Sequence, residues 1–382
     1  MLNVPLNAKL GLYCHVPFCA HKCSYCAFYQ EAPSMQSIEE YLWGICQECS
    51  LIPQHTFDTI YIGGGTPGVL TAKNFDRLCS ALTKNNFSKK FDEFSVEFSP
   101  STVRRDKLEV LMAYGCNRIT MGVQSFDEQT LSTLGRRQSL HKIYQACEII
   151  QMCNFENFGI DLIFAVPGQS IEQWVNDLSK AVSLHPQHIS TYNLTFEDGT
   201  PITNKSLSLS KKSKQEEVDF FITTVKFLES NGYIHYEISN FCKPGYESRH
   251  NCNTWQMNDW IGVGPSACSQ YKMHRFANPA STKIWLNSLK TGKITRAYDE
   301  ELSVENFFKD HVIFGLRMTD GIDLKHLREK FPNIDHSKLQ SYFNDLAGND
   351  LVIMNNDRIQ LTLQGQLVAD AIAVGFLQKF ND

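Results

Sequence analysis

Three cysteines, Cys19, Cys23 and Cys26, stand close together in "CAHKCSYCAFYQ". Their spacing is C-x3-C-x2-C. Two residues after the third, where another sulfur could sit, the chain has Phe28. Thiolates bind zinc and iron–sulfur clusters, and they do redox chemistry. A structural zinc site wants four ligands, and His15 or His21 would have to supply the fourth in a cramped loop. "CSYC" is a C-x2-C redox pair, but such pairs open a helix and lack a third cysteine just upstream. A four-iron cluster otherwise takes four cysteines, so three leave one iron open to a small molecule. The spacing ranks the cluster ahead of zinc and redox.

Other polar residues fall where apolar runs end. "GGGTP" (63–67), Glu97, Gln124 with Ser125, and the stretch from Tyr192 to Glu197 each close or follow such a run; Asp161 lies within one, with "PGQ" just past its end. Parallel-strand barrels put their chemistry at the C-terminal strand ends. Gathering on one rim is stronger evidence than any one motif. Taken singly, "GGGTP" also reads as a tight turn, Glu97 and Asp161 as caps or surface charges, and Gln124 as a loop-bonded amide.

The elements that would carry these residues alternate. Strands are expected at 10–16, 57–64, 94–98, 118–123, 159–166 and 188–194, rich in Ile, Val, Tyr, Phe and Thr. Several are apolar almost throughout, as in a parallel sheet covered on both faces. Between them lie helices. Ile171, Trp174, Val175, Leu178, Ala181 and Val182 share one helical face, with Ser170 and Gln173 at capping-box spacing. Ser37 and Glu40 have that spacing ahead of a helix at 38–52. Six β-α units result, compatible with an open doubly wound sheet or a partial (β/α) barrel.

The rhythm changes after about residue 200. Residues 204–217 read as a polar loop entering a helix, and 233–276 have weak periodicity. "LVIMNNDRIQLT" (351–362) reads as a hairpin turning at Asn355, Asn356 and Asp357. With the helices around it, this suggests a small winged-helix-like domain. Its mixed charge points to a structural or lid role rather than DNA binding. Three segments are expected: 1–235 as the barrel, 236–290 as a flanking segment, and 291–382 as the C-terminal domain.

The 382 residues carry a formal net charge of −5, which gives no push towards nucleic acid or anionic membranes. No apolar run approaches ~18 residues, so no membrane span is expected. The first residues lack signal-peptide features. Thirteen cysteines, an odd number scattered along a long chain, suit a reducing cytoplasm rather than a disulfide framework. Cys79, Cys116 and Cys147 sit in apolar helical contexts and read as core.

"CAHKCSYC" resembles the cluster loop of the radical S-adenosylmethionine (SAM) superfamily, and "YIGGGTP" resembles its glycine motif. "LYCHVPFC", "VEFSP", "GVQSF", "LGRRQS", "DLIFAVPGQS", "EDGTP" and "YEISNFCKPGYESRHNCNTW" are similar to one branch. That branch holds the oxygen-independent coproporphyrinogen III oxidases and the HemW-type haem chaperones. The resemblance covers roughly residues 10–270, and the C-terminal domain more loosely. It implies an α/β fold, a partial (β/α)6 TIM-type barrel. It also implies a [4Fe-4S] cluster on Cys19, Cys23 and Cys26, with SAM on the fourth iron. One electron would break the sulfonium C–S bond, giving methionine and a 5'-deoxyadenosyl radical.

Residue roles follow the matched motifs. Tyr13 would pack at the cluster or SAM, and Tyr25 would flank the adenine. Gly64, Gly65 and Thr66 would meet the methionine amino group. Glu97 and Gln124 would hydrogen-bond SAM, Arg136 would pair with its carboxylate, and Asp161 would hold the ribose hydroxyls. Arg137 adjoins Arg136, and either also reads as a solvated helix residue.

Two departures separate the oxidase from the chaperone. The oxidase pattern carries a fourth cysteine where Phe28 stands, and a longer stretch before the loop than the 18 residues here. Both favour the HemW-like side. The chaperones' H-N-x-x-Y-W pattern is met by "HNCNTW", with His250, Asn251 and Trp255 in place and Thr254 for Tyr. His250 is the haem-ligand candidate, with Cys252 behind it; a hydrogen-bonded loop histidine is the competing reading. The expected function is haem binding and delivery to acceptor haemoproteins, with an electron donor for the cluster. Coproporphyrinogen III oxidation is the alternative. A plain iron–sulfur electron carrier is disfavoured by the glycine motif and the rim carboxylates.

Overall fold

The computed structural model describes residues 9–53, 55–84, 86, 90–205, 211–355 and 358–381. Six strands run parallel in chain order: β1 (Leu10–Val16), β2 (Thr59–Gly64), β3 (Glu93–Phe98), β4 (Arg118–Gln124), β5 (Phe158–Phe164) and β6 (His188–Asn193). Helices α1 (Met35–Leu51), α2 (Ala72–Thr83), α3 (Arg105–Ala113), α4 (Glu128–Thr133), α5 (Leu140–Met152) and α6 (Ile171–Ser183) fill the crossovers. Each strand pairs with the next in sequence. A doubly wound sheet reverses its order at a switch point. None occurs among these six strands, so the partial barrel is the correct choice.

The strands alternate more than their sequences suggest. Ile60 and Ile62, Phe94 and Val96, Ile119 and Met121, and Ile160 and Leu162 are buried in the main core. The residues that alternate with them along the strands include Tyr61, Glu97, Thr120 and Asp161. Period-two alternation puts this second set on the opposite face, in the barrel interior. The helices cover the outer face; α6 buries Trp174, Leu178 and Ala181.

Helix α1 starts earlier than expected. Its cap is Ser34, whose hydroxyl accepts from Ser37 N, while Ser37 Oγ accepts from Ser34 N. Ser37 thus closes the box from its N3 position, and Glu40 accepts from Gln36 instead. Cys79 and Cys147 are buried on helices as expected; Cys116 is buried in the turn after α3.

The stretch with weak periodicity widens the sheet at both edges. After α7 (Pro201–Lys205) and α8 (Lys214–Ser230), β7 (Ile234–Glu237) and β8 (Asn240–Cys242) join antiparallel beside β6. Helix α9 (Arg249–Trp255) follows. Then β9 (Asp259–Val263) pairs parallel with β1, and β10 (Cys268–Tyr271) and β11 (His274–Ala277) continue that edge. Helix α10 (Thr282–Lys290) leads to β12 (Tyr298–Glu301), which pairs with β11. The expected boundary at 235 therefore cuts β7, and the one at 291 falls before the last strand of this sheet. Strands of four residues are too short to show a period.

A second core follows, with the order α11 (Val304–Gly315), β13 (Ile322–Asp323), α12 (Leu324–Lys330), α13 (Ser337–Ala347), β14 (Val352–Met354) and β15 (Arg358–Leu361). The three strands form one antiparallel sheet, a winged-helix-like arrangement. Helices α14 (Leu363–Leu367) and α15 (Ala369–Asn381) close the chain. The hairpin is present; Asn356 and Asp357 at its turn lie outside the described residues.

Glu48 locks α1 to the widened edge. Its buried carboxylate accepts from Gly264 N (2.7 Å), Asn278 Nδ2 (2.7 Å) and Trp285 Nε1 (3.0 Å). Glu48→Ala leaves the Gly264 and Trp285 N–H groups without an acceptor, and Asn278 Nδ2 with only Gly264 O (2.8 Å). We expect it to lose about 3–5 kcal/mol in urea unfolding; a change under about 0.5 kcal/mol would contradict this role.

Candidate functional site

The cysteine loop leaves β1 and is held on three sides. Gly65 N donates to Val16 O (2.8 Å) and Thr66 N to Phe18 O (2.7 Å), fastening the loop's start to the end of β2. Ser24 N donates to Leu134 O (3.0 Å) and Ser24 Oγ to Thr133 O (3.0 Å), fixing its middle at α4. Ile202 N donates to Ser24 O (2.8 Å), bringing in α7. Cys19 N donates to Glu31 O (2.9 Å) and closes the loop on itself.

Glycine makes the first contact possible. A Cβ on Gly65 would lie 2.7 Å from Phe18 O, and one on Gly63 2.8 Å from Glu97 Oε1. Gly64 has φ +105° beside the His15 ring. "GGGTP" is therefore more than a turn signal.

The loop opens onto a cavity of about 700 Å³. Cys19, Cys23 and Cys26 line it. So do Tyr25, Gly64, Gly65 and Thr66, with Glu97, Gln124 and Asp161 on the facing strands and Arg136 in the segment after α4. Sequence reasoning missed Gln30 and Gln138, which also line it; "LGRRQS" was the one signal that included Gln138.

Burial raises the Cys19 and Cys26 thiols; the Thr66 hydroxyl at Cys19, the Phe28 backbone at Cys26 and the charge of Arg136 offset only part of that rise. Among the described residues no group of three His, Cys, Asp or Glu side chains is placed to hold a single metal ion. His15 is engaged with Tyr13 and Tyr29. The loop is thus unlike a preformed zinc site.

Burial holds both strand acids of the cavity above the usual carboxylate range. Burial pushes Glu97 up to about 7, against hydrogen bonds from Tyr61 Oη (2.7 Å) and Gly64 N (3.2 Å). Burial pushes Asp161 up to about 6, offset by Ser190, Arg118 and Arg136. Asp161 Oδ1 is buried with no partner, as is Arg136 Nε. Arg136 Nη2 donates to Tyr25 Oη (3.1 Å). Gln124 is buried at φ +71°, beside a register shift against β5. Gly122 leaves room for its amide, which lies 2.9 Å from where a Cβ would be. An unpaired carboxylate oxygen, an unpaired guanidinium N–H and half-buried thiols suit a ligand with hydroxyls, a carboxylate and an open metal edge.

Two expected site residues are elsewhere. Tyr13 is not on the cavity wall; its hydroxyl meets His15 Nδ1 (3.1 Å) and its ring stacks on Tyr61. His250 is buried at the opposite, N-terminal end of the barrel. Its Nδ1 meets Thr59 Oγ1 (2.9 Å), its ring stacks on Tyr61, and its backbone N donates to Glu93 (3.3 Å). Burial lowers it to about 4, so it is neutral, but it does not face the cavity. Cys252, on the same short helix, is pushed up to about 12 by burial.

Glu97 and Asp161 predict a pH dependence. Their folded pKa values, about 7 and about 6, lie above the unfolded values of about 4. The folded chain holds protons that the unfolded chain has released, so stability falls as pH rises from about 4 to about 7. Glu97→Gln with Asp161→Asn should flatten that fall in denaturant unfolding at pH 5 and 7.5. An unchanged slope would contradict the assignment.

Residues 13–181 match the model of the radical SAM superfamily, and 302–368 that of the HemN C-terminal domain. The haem chaperone HemW of Lactococcus lactis is 32% identical over 99% of this chain and 98% of its own length. That of Bacillus subtilis is 30% identical over 96% and 98%. Coproporphyrinogen III oxidase (HemN) from Escherichia coli matches in structure at a TM-score of 0.84 and 24% identity, covering 97% of this chain and 90% of that one. That likeness shows the fold. The end-to-end alignments carry the rest: the chain belongs to the HemW family of haem chaperones within the radical SAM superfamily.

Proposed function

We propose that the chain holds a [4Fe-4S] cluster on Cys19, Cys23 and Cys26, binds SAM in the adjoining cavity, and carries haem for delivery to acceptor haemoproteins. The observation that carries this is one cavity shared by the three thiols, the glycine-rich end of β2, and the unpaired atoms of Arg136 and Asp161. Bound there, the cluster and SAM would supply one-electron chemistry at an open iron. The chain's own residues do the positioning. Arg136 suits the carboxylate end of SAM and Asp161 its ribose hydroxyls. Gly64, Gly65 and Thr66 admit its amino end. Glu97 and Asp161, once ionised, favour a sulfonium cation, so affinity should rise with pH through about 6 to 7.

Phe28 supports the chaperone over the oxidase. It occupies the oxidase's extra cysteine position and stands exposed at the cavity. His250 supplies a neutral imidazole, the form that binds iron. Ligating haem there requires α9 to move away from Tyr61 and Thr59. The reading places the exchange in the cytoplasm, with an electron donor as partner and no nucleic acid. No described helix is long and apolar enough to cross a membrane.

The test is anaerobic reconstitution of the full chain. Cys26→Ala should abolish four-iron loading, and Arg136→Met should weaken SAM binding roughly 10- to 100-fold by calorimetry. Haem should bind the intact chain and bind less tightly to His250→Ala. Turnover of coproporphyrinogen with SAM and reductant, or no haem binding, would overturn the chaperone reading.

A further inference from the structure

Gln30 lines the cavity, yet neither the sequence motifs nor the expected SAM contacts use it. Both of its amide atoms, Oε1 and Nε2, are buried and have no hydrogen-bond partner. Among the described residues it is the only side chain with two such atoms. A primary amide has two N–H donors and an oxygen with two lone pairs. Leaving such groups buried and unpaired is costly to stability. Native chains keep them where something else completes them.

The backbone fixes where this amide goes. Tyr29 O is in contact with His15 Nε2 (3.2 Å). Glu31 N donates to Pro17 O (2.6 Å), and Glu31 O accepts from Cys19 N (2.9 Å). Tyr29 Oη is held by Glu31 and by Thr282. Gln30 is therefore clamped on both sides against the segment that carries Cys19. Its side chain shares the cavity with all three cysteines. The other lining residues with unpaired buried atoms, Arg136, Asp161 and Gln138, each spend part of their capacity on protein groups. Gln30 spends none.

We propose that the Gln30 amide N–H donates to a sulfur of the bound cluster and raises its reduction potential. This rests on the cluster reading of the cysteines. Sulfides and thiolates are acceptors, so the amide must present N–H to them. A hydrogen bond to sulfur favours the more negative, reduced state over the oxidised one, and hydrogen bonds of this kind are among the factors that set cluster potentials.

The test uses the full chain with its cluster reconstituted and reduced, and with glutamine side chains carrying 15N at the amide. Pulsed EPR of the wild type should show a 15N coupling to the cluster that disappears in Gln30→Met, which keeps the shape without the donor. In an EPR-monitored redox titration, Gln30→Met should shift the midpoint to more negative potential, and Gln30→Glu further still. An intact four-iron signal in the wild type with no 15N coupling overturns the proposal, whether or not the variants load a cluster. So do unchanged midpoints in both variants. A wild type without iron or EPR signal sinks the cluster reading itself, and the role of Gln30 with it.

Discussion

The site depends on one close approach, the end of β2 lying against the loop that leaves β1. Two backbone hydrogen bonds, from Gly65 to Val16 and from Thr66 to Phe18, set that distance. A side chain at residue 65 would collide with the loop carbonyls. With this edge fixed, Ser24 can reach the carbonyls that follow α4, and Ile202 can reach Ser24. The loop is then tied to the ends of β1 and β2, to α4 and to α7. A binding loop needs this kind of support if its ligands are to keep their geometry. Glu97 joins the same edge, since its carboxylate accepts from Gly64 N and Tyr61.

The barrel has two ends with different duties. At the C-terminal end, Asp161 and Arg136 keep buried capacity unspent. At the N-terminal end, Glu93 accepts from Ser95, Ser248, Arg249 and His250, and faces Arg118 at 3.7 Å. That network seats α9 and closes the floor. Tyr61 joins the two ends: its hydroxyl meets Glu97 and its ring lies on His250.

Much of this was legible in the sequence because chemistry and element type coincided. Glycines after an apolar run and acids inside apolar strands have bland readings singly; with the cysteine spacing, their convergence does not. The residues they mark line one cavity. Strand limits were legible to within two residues, since β-branched and aromatic runs ended at turns. Other features depend on contacts distant in sequence. Glu48 reads as an ordinary helix-surface acid, and only the fold brings Gly264, Asn278 and Trp285 to it. His250 looked available because its loop is polar and aromatic; Thr59 and Tyr61, far upstream, bury it. Tyr13 precedes the cysteine loop closely, but strand pleating turns it onto Tyr61. Gln30 carried no signal, because an unpaired amide is visible only once its surroundings are.

The central claim is that three cysteines leave an iron open for SAM. The most direct measurement is EPR of the reconstituted, reduced cluster before and after SAM is added. SAM at the open iron should change the g-values of the signal, and the same addition to Asp161→Asn with Arg136→Met should change them less. A signal that is identical with and without saturating SAM would contradict the account.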